Sequence, residues 1–272
     1  SAYGVLSEFK RLAPKTKIYA AQNGMLGLLA DRMYDIGRTR KSLDLLLDSP
    51  AGMFGSCRFK LPELNDIDFY KNLFKILDRR SIRYFFYNGG NDSADTCLKV
   101  SLAAEKLGYE LYAVAIPKTI DNDLVLTDNC PGFGSVAKYI ATSVKEAALD
   151  LKSMCKNSTN IFVLEVMGRH AGWIAASAEL ANSEEAQYVH KILLPEVRID
   201  ENKLLTGVEQ DLSNHGFCVV VASEGIRYQT GEFYSETSGK DSFGHKQLGG
   251  VAPKIADLIG KNLNVKYHWA VS

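Results

Sequence analysis

Tyr84-Phe85-Phe86-Tyr87-Asn88-Gly89-Gly90-Asn91-Asp92-Ser93 decides the fold. The aromatic run reads as a strand, the glycine pair and polar residues as the turn that ends it, and Ala94 to Leu107 as a helix. Leu111 to Ile116 is the next apolar run and reads as a buried strand, which Pro117 ends because its ring removes a backbone donor. Strand, glycine turn, helix, strand is the alternation of a parallel α/β sheet. Such a turn also points free amides and the positive end of a helix at an anion, so Gly89, Gly90, Asn91 and Asp92 are candidate phosphate contacts. The turn lacks the Gly-Lys-Ser/Thr ending of a Walker loop and is not Gly-x-Gly-x-x-Gly.

The second strand runs directly into Lys118-Thr119-Ile120-Asp121-Asn122-Asp123. Asp121 and Asp123, joined through turn-forming Asn122, can project both carboxylates into one small volume. Close carboxylates are costly unless a cation or a reacting hydroxyl lies between them, so Lys118 or a divalent ion belongs beside them. A polar surface turn would carry the same residues; neighbouring segments decide between the two.

Those segments follow one pattern. Ile161 to Val166 reads as a buried strand and ends in Met167-Gly168-Arg169-His170, where Arg169 is placed for an anion and His170 for a helix start. Ile192 to Leu194 is a strand stopped by Pro195, with Glu196 at its exit, where a carboxylate can accept hydrogen bonds from a polyol. Phe217 to Ala222 is another strand, exiting at Ser223-Glu224-Gly225. Gly244-His245-Lys246-Gln247-Leu248-Gly249-Gly250 precedes a helix from Pro253 to Leu263, a further phosphate seat. In the loop from Ser49 to Phe59, Gly52 and Gly55 let the backbone approach a ligand and Arg58 can clamp a phosphate in bidentate fashion.

The remaining elements are helices at Ser1–Leu12, Arg38–Leu47, Phe69–Leu77 with Asp68 as its cap, about Ser135–Leu151 and Leu204–Leu212. A short strand spans Lys17 to Ala21, a turn falls at Asn23-Gly24, and Arg227 to Ser242 reads as a loop or arm. A helix opening at the first residue, with no preceding strand or start methionine, suggests a fragment.

Lys plus Arg number 32 and so do Asp plus Glu, so no global basic field draws the chain to nucleic acid or an anionic membrane. The five cysteines are dispersed without zinc-type spacing, which makes reduced thiols and a cytoplasmic location the expectation. Every candidate segment follows a strand, and in doubly wound sheets ligands bind beyond the carboxyl ends of strands. The expected architecture is therefore two α/β lobes with largely parallel sheets and a site in the cleft between them. Phosphate-cradling glycines, arginines, a lysine and paired carboxylates together suit phosphoryl transfer to a hydroxyl.

Gly-Gly-Asn-Asp-Ser at 89–93, Pro-Lys-Thr-Ile-Asp-Asn-Asp-Leu at 117–124, Met-Gly-Arg-His-Ala-Gly-Trp at 167–173, Pro-Glu at 195–196 and Gly-His-x-Gln at 244–247 resemble the phosphofructokinase motifs, in their order. The resemblance implies fructose 6-phosphate as acceptor, Mg²⁺ as activating ion and a homo-oligomer, dimer or tetramer. It makes Asp121 the base for the sugar 1-hydroxyl and Thr119 a contact of the transferred group, with Asp123 supporting the charge arrangement. It gives the sugar to Met167, Gly168, Arg169 and Glu196, its 6-phosphate to His245, and the donor side to Arg58. It divides the chain into a donor-phosphate lobe of 1–130 plus 245–272 and a sugar-phosphate lobe of 131–244.

Departures from the family pattern carry information. The ATP-using branch has glycine at the positions of Asp92 and Lys118. A carboxylate at 92 would crowd a nucleotide's α-phosphate, and Lys118 adds a cation for a compact donor, so the chain resembles the diphosphate-dependent branch. Asn91 replaces a metal-binding aspartate, leaving Asn91 and Asp121 as weak metal ligands, and Leu248 replaces an arginine. Competing readings are an ATP-dependent enzyme, a non-catalytic regulatory subunit, and a nicotinamide dehydrogenase, which lacks its glycine fingerprint.

Overall fold

A computed structural model describes residues 1–36, 43–49, 52–240 and 246–272. The chain forms two compact units, Ser1–Pro117 and Lys118–Ser272.

The first unit holds α1 (Ala2–Leu12), β1 (Tyr19–Ala21), α2 (Gly24–Leu29), β2 (Met33–Asp35), α3 (Ile67–Arg79), β3 (Tyr84–Gly89), α4 (Asn91–Leu107) and β4 (Tyr112–Pro117). β3 and β4 pair in parallel from Tyr84↔Tyr112 to Gly89↔Pro117, as the opening stretch predicts, while β1 and β2 pair antiparallel. Tyr70, Leu73, Phe74 and Leu77 recur at helical spacing on α3 and bury against Phe85 of β3 and Val100 of α4. Phe9 of α1 lies edge-on to Phe86, on the other side of β3's alternation. The cap of α3 is Asp66, whose carboxylate accepts from the Phe69 amide at 3.2 Å, rather than Asp68. Asn23-Gly24, expected as a turn, opens α2 with Asn23 in the left-handed region. Of the helix expected at Arg38–Leu47, residues 43–46 form a 3₁₀ turn and 38–42 lie outside the described residues.

The second unit is a four-stranded parallel sheet in the order β10 (Tyr267–Val271), β5 (Ile161–Val166), β7 (Cys218–Ser223), β6 (Lys191–Leu193). Successive residues of the buried central strand β7 feed opposite cores. Cys218, Val220 and Ala222 pack with α7 (Glu201–His215) and α8 (Val251–Leu263). Val219 and Val221 pack with α5 (Phe133–Met154) and α6 (Trp173–Ala176). Helices on both faces make this sheet doubly wound. Part of the expected arm is strand β8 (Glu236–Lys240), which pairs antiparallel with β9 (Lys246–Leu248).

The division at Pro117 differs from the expected lobes. Residues 118–130 and 246–272 belong to the second unit, because β10 pairs with β5 along its length and α8 packs its apolar face beneath the same sheet. His245 lies outside the described residues. No helix among the described residues is long and apolar enough to cross a membrane.

Candidate active site

The Asp-Asn-Asp turn is shaped by its middle residue. Asn122 is 6% exposed and takes a left-handed φ of 54°, a conformation Asn tolerates better than most residues. Its carbonyl oxygen accepts from the Cys130 amide at 2.7 Å and its amide donates to the Asp128 carbonyl at 3.1 Å. The clamp turns the two flanking carboxylates inward. One oxygen each of Asp121 and Asp123 is buried with no hydrogen-bond partner. Ile120, packed against the α5–α6 core, anchors the turn from below, and Thr119 Oγ1 accepts from the Asp121 amide at 3.3 Å, leaving its own proton to donate.

Buried carboxylate oxygens without partners hold protons tightly. Burial first and then the adjacent Asp123 push Asp121 above the ordinary carboxylate range, against the opposing pull of Arg169 and Lys118. The pattern is that of a general base held among charges placed to receive an anion.

Arg169 reaches this group from the exit of β5. Its turn requires Gly168, whose φ is +133° and where a Cβ would stand 2.5 Å from the Ala171 carbonyl. The fully buried Ser223 hydroxyl donates to the Gly168 carbonyl from the end of β7. Gly225 removes a side chain that would stand 2.1 Å from the Arg169 carbonyl oxygen. Glu224, between them, accepts from the Gly168 amide, and burial chiefly, with Asp121 and Glu165 adding to it, raises its proton affinity while Arg169 opposes. Glu224 is a candidate functional residue to which sequence reasoning gives no role. Its signal was available: it leaves a parallel strand at the same edge as Met167–Arg169.

Lys118, Asp121, Asp123, Arg169 and Glu224 therefore share one electrostatic neighbourhood in the second unit. Met167 is exposed beside them in sequence. Glu196, expected on the sugar, has one oxygen committed to the Gly172 amide at 2.8 Å, bracing the far end of the same turn. His170 lies tilted against Phe233 and shares a 3.4 Å contact with Arg227, partners far along the chain rather than the local ones expected of a helix start. At the α8 entrance, expected to seat phosphate, the Ala252 amide is already bonded to Glu165 and Pro253 has none to give.

The first unit carries the other candidates. Gly89 is fixed by packing, since a Cβ there would meet the Ser93 hydroxyl at 2.0 Å. Asn91 and Asp92 are exposed in the first turn of α4, with Gly90 as its cap. Asp92 thus sets a carboxylate at the positive helix end, which favours the helix and disfavours an extended anionic ligand over that residue. Arg58 is exposed in the connection preceding α3.

The chain is 50% identical to a pyrophosphate–fructose 6-phosphate 1-phosphotransferase of Halomonas elongata and 52% identical to one of Methylococcus capsulatus, in each case over the whole chain and 66% of the relative. The crystal structure of a pyrophosphate-dependent phosphofructokinase from Nitrosospira multiformis superposes with a TM-score of 0.87 at 45% identity, covering 99% of this chain and 64% of that one. The chain thus spans just under two thirds of these proteins. The phosphofructokinase family model matches residues 7–271, and the chain belongs to that family.

Proposed function

We propose that this chain catalyses reversible phosphoryl transfer from inorganic diphosphate to the 1-hydroxyl of fructose 6-phosphate, giving fructose 1,6-bisphosphate and phosphate. The observation that carries the reading is the inward pair Asp121 and Asp123, with Asp121 raised in proton affinity next to Lys118 and Arg169. The hydroxyl oxygen bonds to the terminal phosphorus, the bridging P–O bond breaks, and Asp121 takes the hydroxyl proton. In reverse, Asp121 returns it. A base in hydrogen-bond reach contributes typically ~10²–10⁴-fold.

Lys118 and Arg169 offset charge on the transferred group, and Thr119 donates to one of its oxygens. Met167, Gly168 and Glu196 serve the sugar, as the family resemblance implies, with Glu224 added as an acceptor for a sugar hydroxyl and His245 on the 6-phosphate. Gly89, Gly90, Asn91, Asp92 and Arg58 serve the donor. Among the described residues no group of three His, Cys, Asp or Glu is arranged to hold a metal ion. Mg²⁺ fits nonetheless, because it is commonly held by one or two carboxylates plus substrate phosphates, and Asp121 and Asp123 each keep an oxygen unpartnered. When bound it would neutralise diphosphate charge. A cytoplasmic homo-oligomer, dimer or tetramer, completes the reading on the strength of the family resemblance.

Diphosphate is preferred to ATP because Lys118 adds a cation for a compact donor and Asp92 repels an α-phosphate. Steady-state kinetics of the full-length protein with each donor tests this. Turnover with ATP and none with diphosphate overturns it, and Asp92→Gly with Lys118→Gly is expected to move preference toward ATP.

A further inference from the structure

Glu165 is the one acidic residue of β5 and is 2% exposed, too deep to touch a substrate. Its side chain points to the face covered by α8, where Oε2 accepts from the Ala252 amide at 2.9 Å. A Cβ on Gly249 would stand 3.8 Å from Oε1, so the carboxylate also lies against the turn that leads into the helix. That turn is held from its other side by the Ser235 hydroxyl, which donates to the Gly249 carbonyl at 2.5 Å. Val251 and Ala252 are fully buried, so the first turn of α8 has no water to satisfy its amides.

Burying a carboxylate is costly unless its partners repay it, and an apolar residue would serve the core as well. What an apolar residue could not do is join two segments. Glu165 sits two residues before Met167, at the strand exit that delivers Arg169, and its partner sits at the helix start that follows Gly249-Gly250.

We propose that Glu165 is a positioning residue for sugar-phosphate binding, a buried strut that fixes the start of α8 against the end of β5. The inference rests on the reading that these two segments hold fructose 6-phosphate. Reach, rather than charge, is the property that matters.

Two conservative variants separate the possibilities. Glu165→Gln keeps the reach and an acceptor oxygen but drops the charge. Glu165→Asp keeps the charge but withdraws the oxygen by about one bond length. The strut predicts that Asp raises the KM for fructose 6-phosphate, and weakens its binding by calorimetry, about fivefold or more, the scale of one lost net hydrogen bond. The KM for diphosphate should stay within twofold, and Gln should behave like wild type within twofold in both. Faster exchange of the Ala252 amide in the Asp variant would place the change at α8. Equal binding by wild type and Asp, equal shifts in both KM values, or a larger loss in Gln than in Asp overturns the strut alone. Failure of the wild type to bind fructose 6-phosphate overturns the reading of the site, and the strut with it.

Discussion

Gly225→Ala tests whether the Arg169 turn is held as tightly as the site demands. Gly225 is not among the glycines with positive φ, so alanine strains no backbone torsion there, and contact alone decides the outcome. The added Cβ would lie 2.1 Å from the Arg169 carbonyl oxygen and 2.6 Å from that of Gly168. Even a tight 3.4 Å contact requires the Arg169 carbonyl to retreat by about 1.3 Å. The turn has little room to give, because Ser223 holds the Gly168 carbonyl and Glu224 holds its amide. The displacement therefore passes to Arg169. A misplacement of about 1 Å costs on the order of 10²-fold in rate, or about 2.7 kcal/mol, and overpacking removes a further 1–3 kcal/mol or so of stability. Steady-state kcat/KM for fructose 6-phosphate and a thermal melt measure the two separately. Gly4→Ala, where a Cβ meets nothing within 4 Å, is the control and should leave kcat/KM unchanged while the melting temperature holds or rises, because alanine favours the helix α1 over glycine by roughly 0.5–1 kcal/mol. A Gly225→Ala protein with kcat/KM within threefold of wild type, whatever its melting temperature, would refute the claim that this contact sets the position of Arg169.

Asn122 does two separable things, and Asn122→Gly keeps the left-handed backbone while deleting the clamp to Asp128 and Cys130. Both Asn122→Gly and Asn122→Ala should lower kcat by 10-fold or more, on the order of 10²-fold where a carboxylate moves by about 1 Å, with Ala the less stable of the two in a melt. Asp123→Asn removes the like charge that helps raise Asp121, so the acidic limb of the kcat/KM profile, where the base is lost as pH falls, should move to lower pH. His190 gives a stability test away from the site. Burial depresses its pKa to about 4, with Asp211 opposing this and His215 and Lys191 adding to it, and its Nε2 is buried without a partner. Between about 6.5 and about 4 the unfolded chain binds the extra proton, so denaturant stability should fall as pH falls through that window. The loss should be roughly 2 kcal/mol after allowance for partial solvent access, and His190→Asn, which keeps an acceptor for the Val219 amide, should flatten it.

What the chain discloses in one dimension depends on how far each residue's partner lies along it. The apolar runs of β5 and β7 are legible because a strand covered on both faces needs no polar alternation. β3 and β4 are legible instead from aromatic and branched residues, of which Tyr84, Phe86, Tyr112 and Val114 are exposed, so β4 is not the buried strand its apolar run suggests. β10 went unread because an edge strand written Tyr-His-Trp-Ala-Val, with His268 and Trp269 exposed, looks like any connector until β5 pairs with it. Asn23-Gly24 reads as a turn because glycine marks one, and Gly27 hides the helix that follows, yet Gly27 is there for packing, since a Cβ would overlap the Gln22 carbonyl. Asp66 and Asp68 are equivalent caps until the backbone chooses.

The site divides in the same way. Lys118, Thr119, Asp121 and Asp123 are contiguous, so their shared chemistry is visible as a word. Ser223 and Gly168, which meet through one hydrogen bond, are 55 residues apart, and Glu165 and Ala252 are 87 apart. The first pairing exists because β5 and β7 are neighbours in the sheet with β6 displaced to the edge, and the second because α8 packs against β5, arrangements that no local pattern encodes. It follows that chemistry carried by contiguous residues can be read from motifs, whereas Glu224 and the residues that hold the site in place can be read only after the strand order is known. Substitutions at Ser223 or Gly225, and Glu165→Asp, should therefore damage function while leaving every recognisable motif intact.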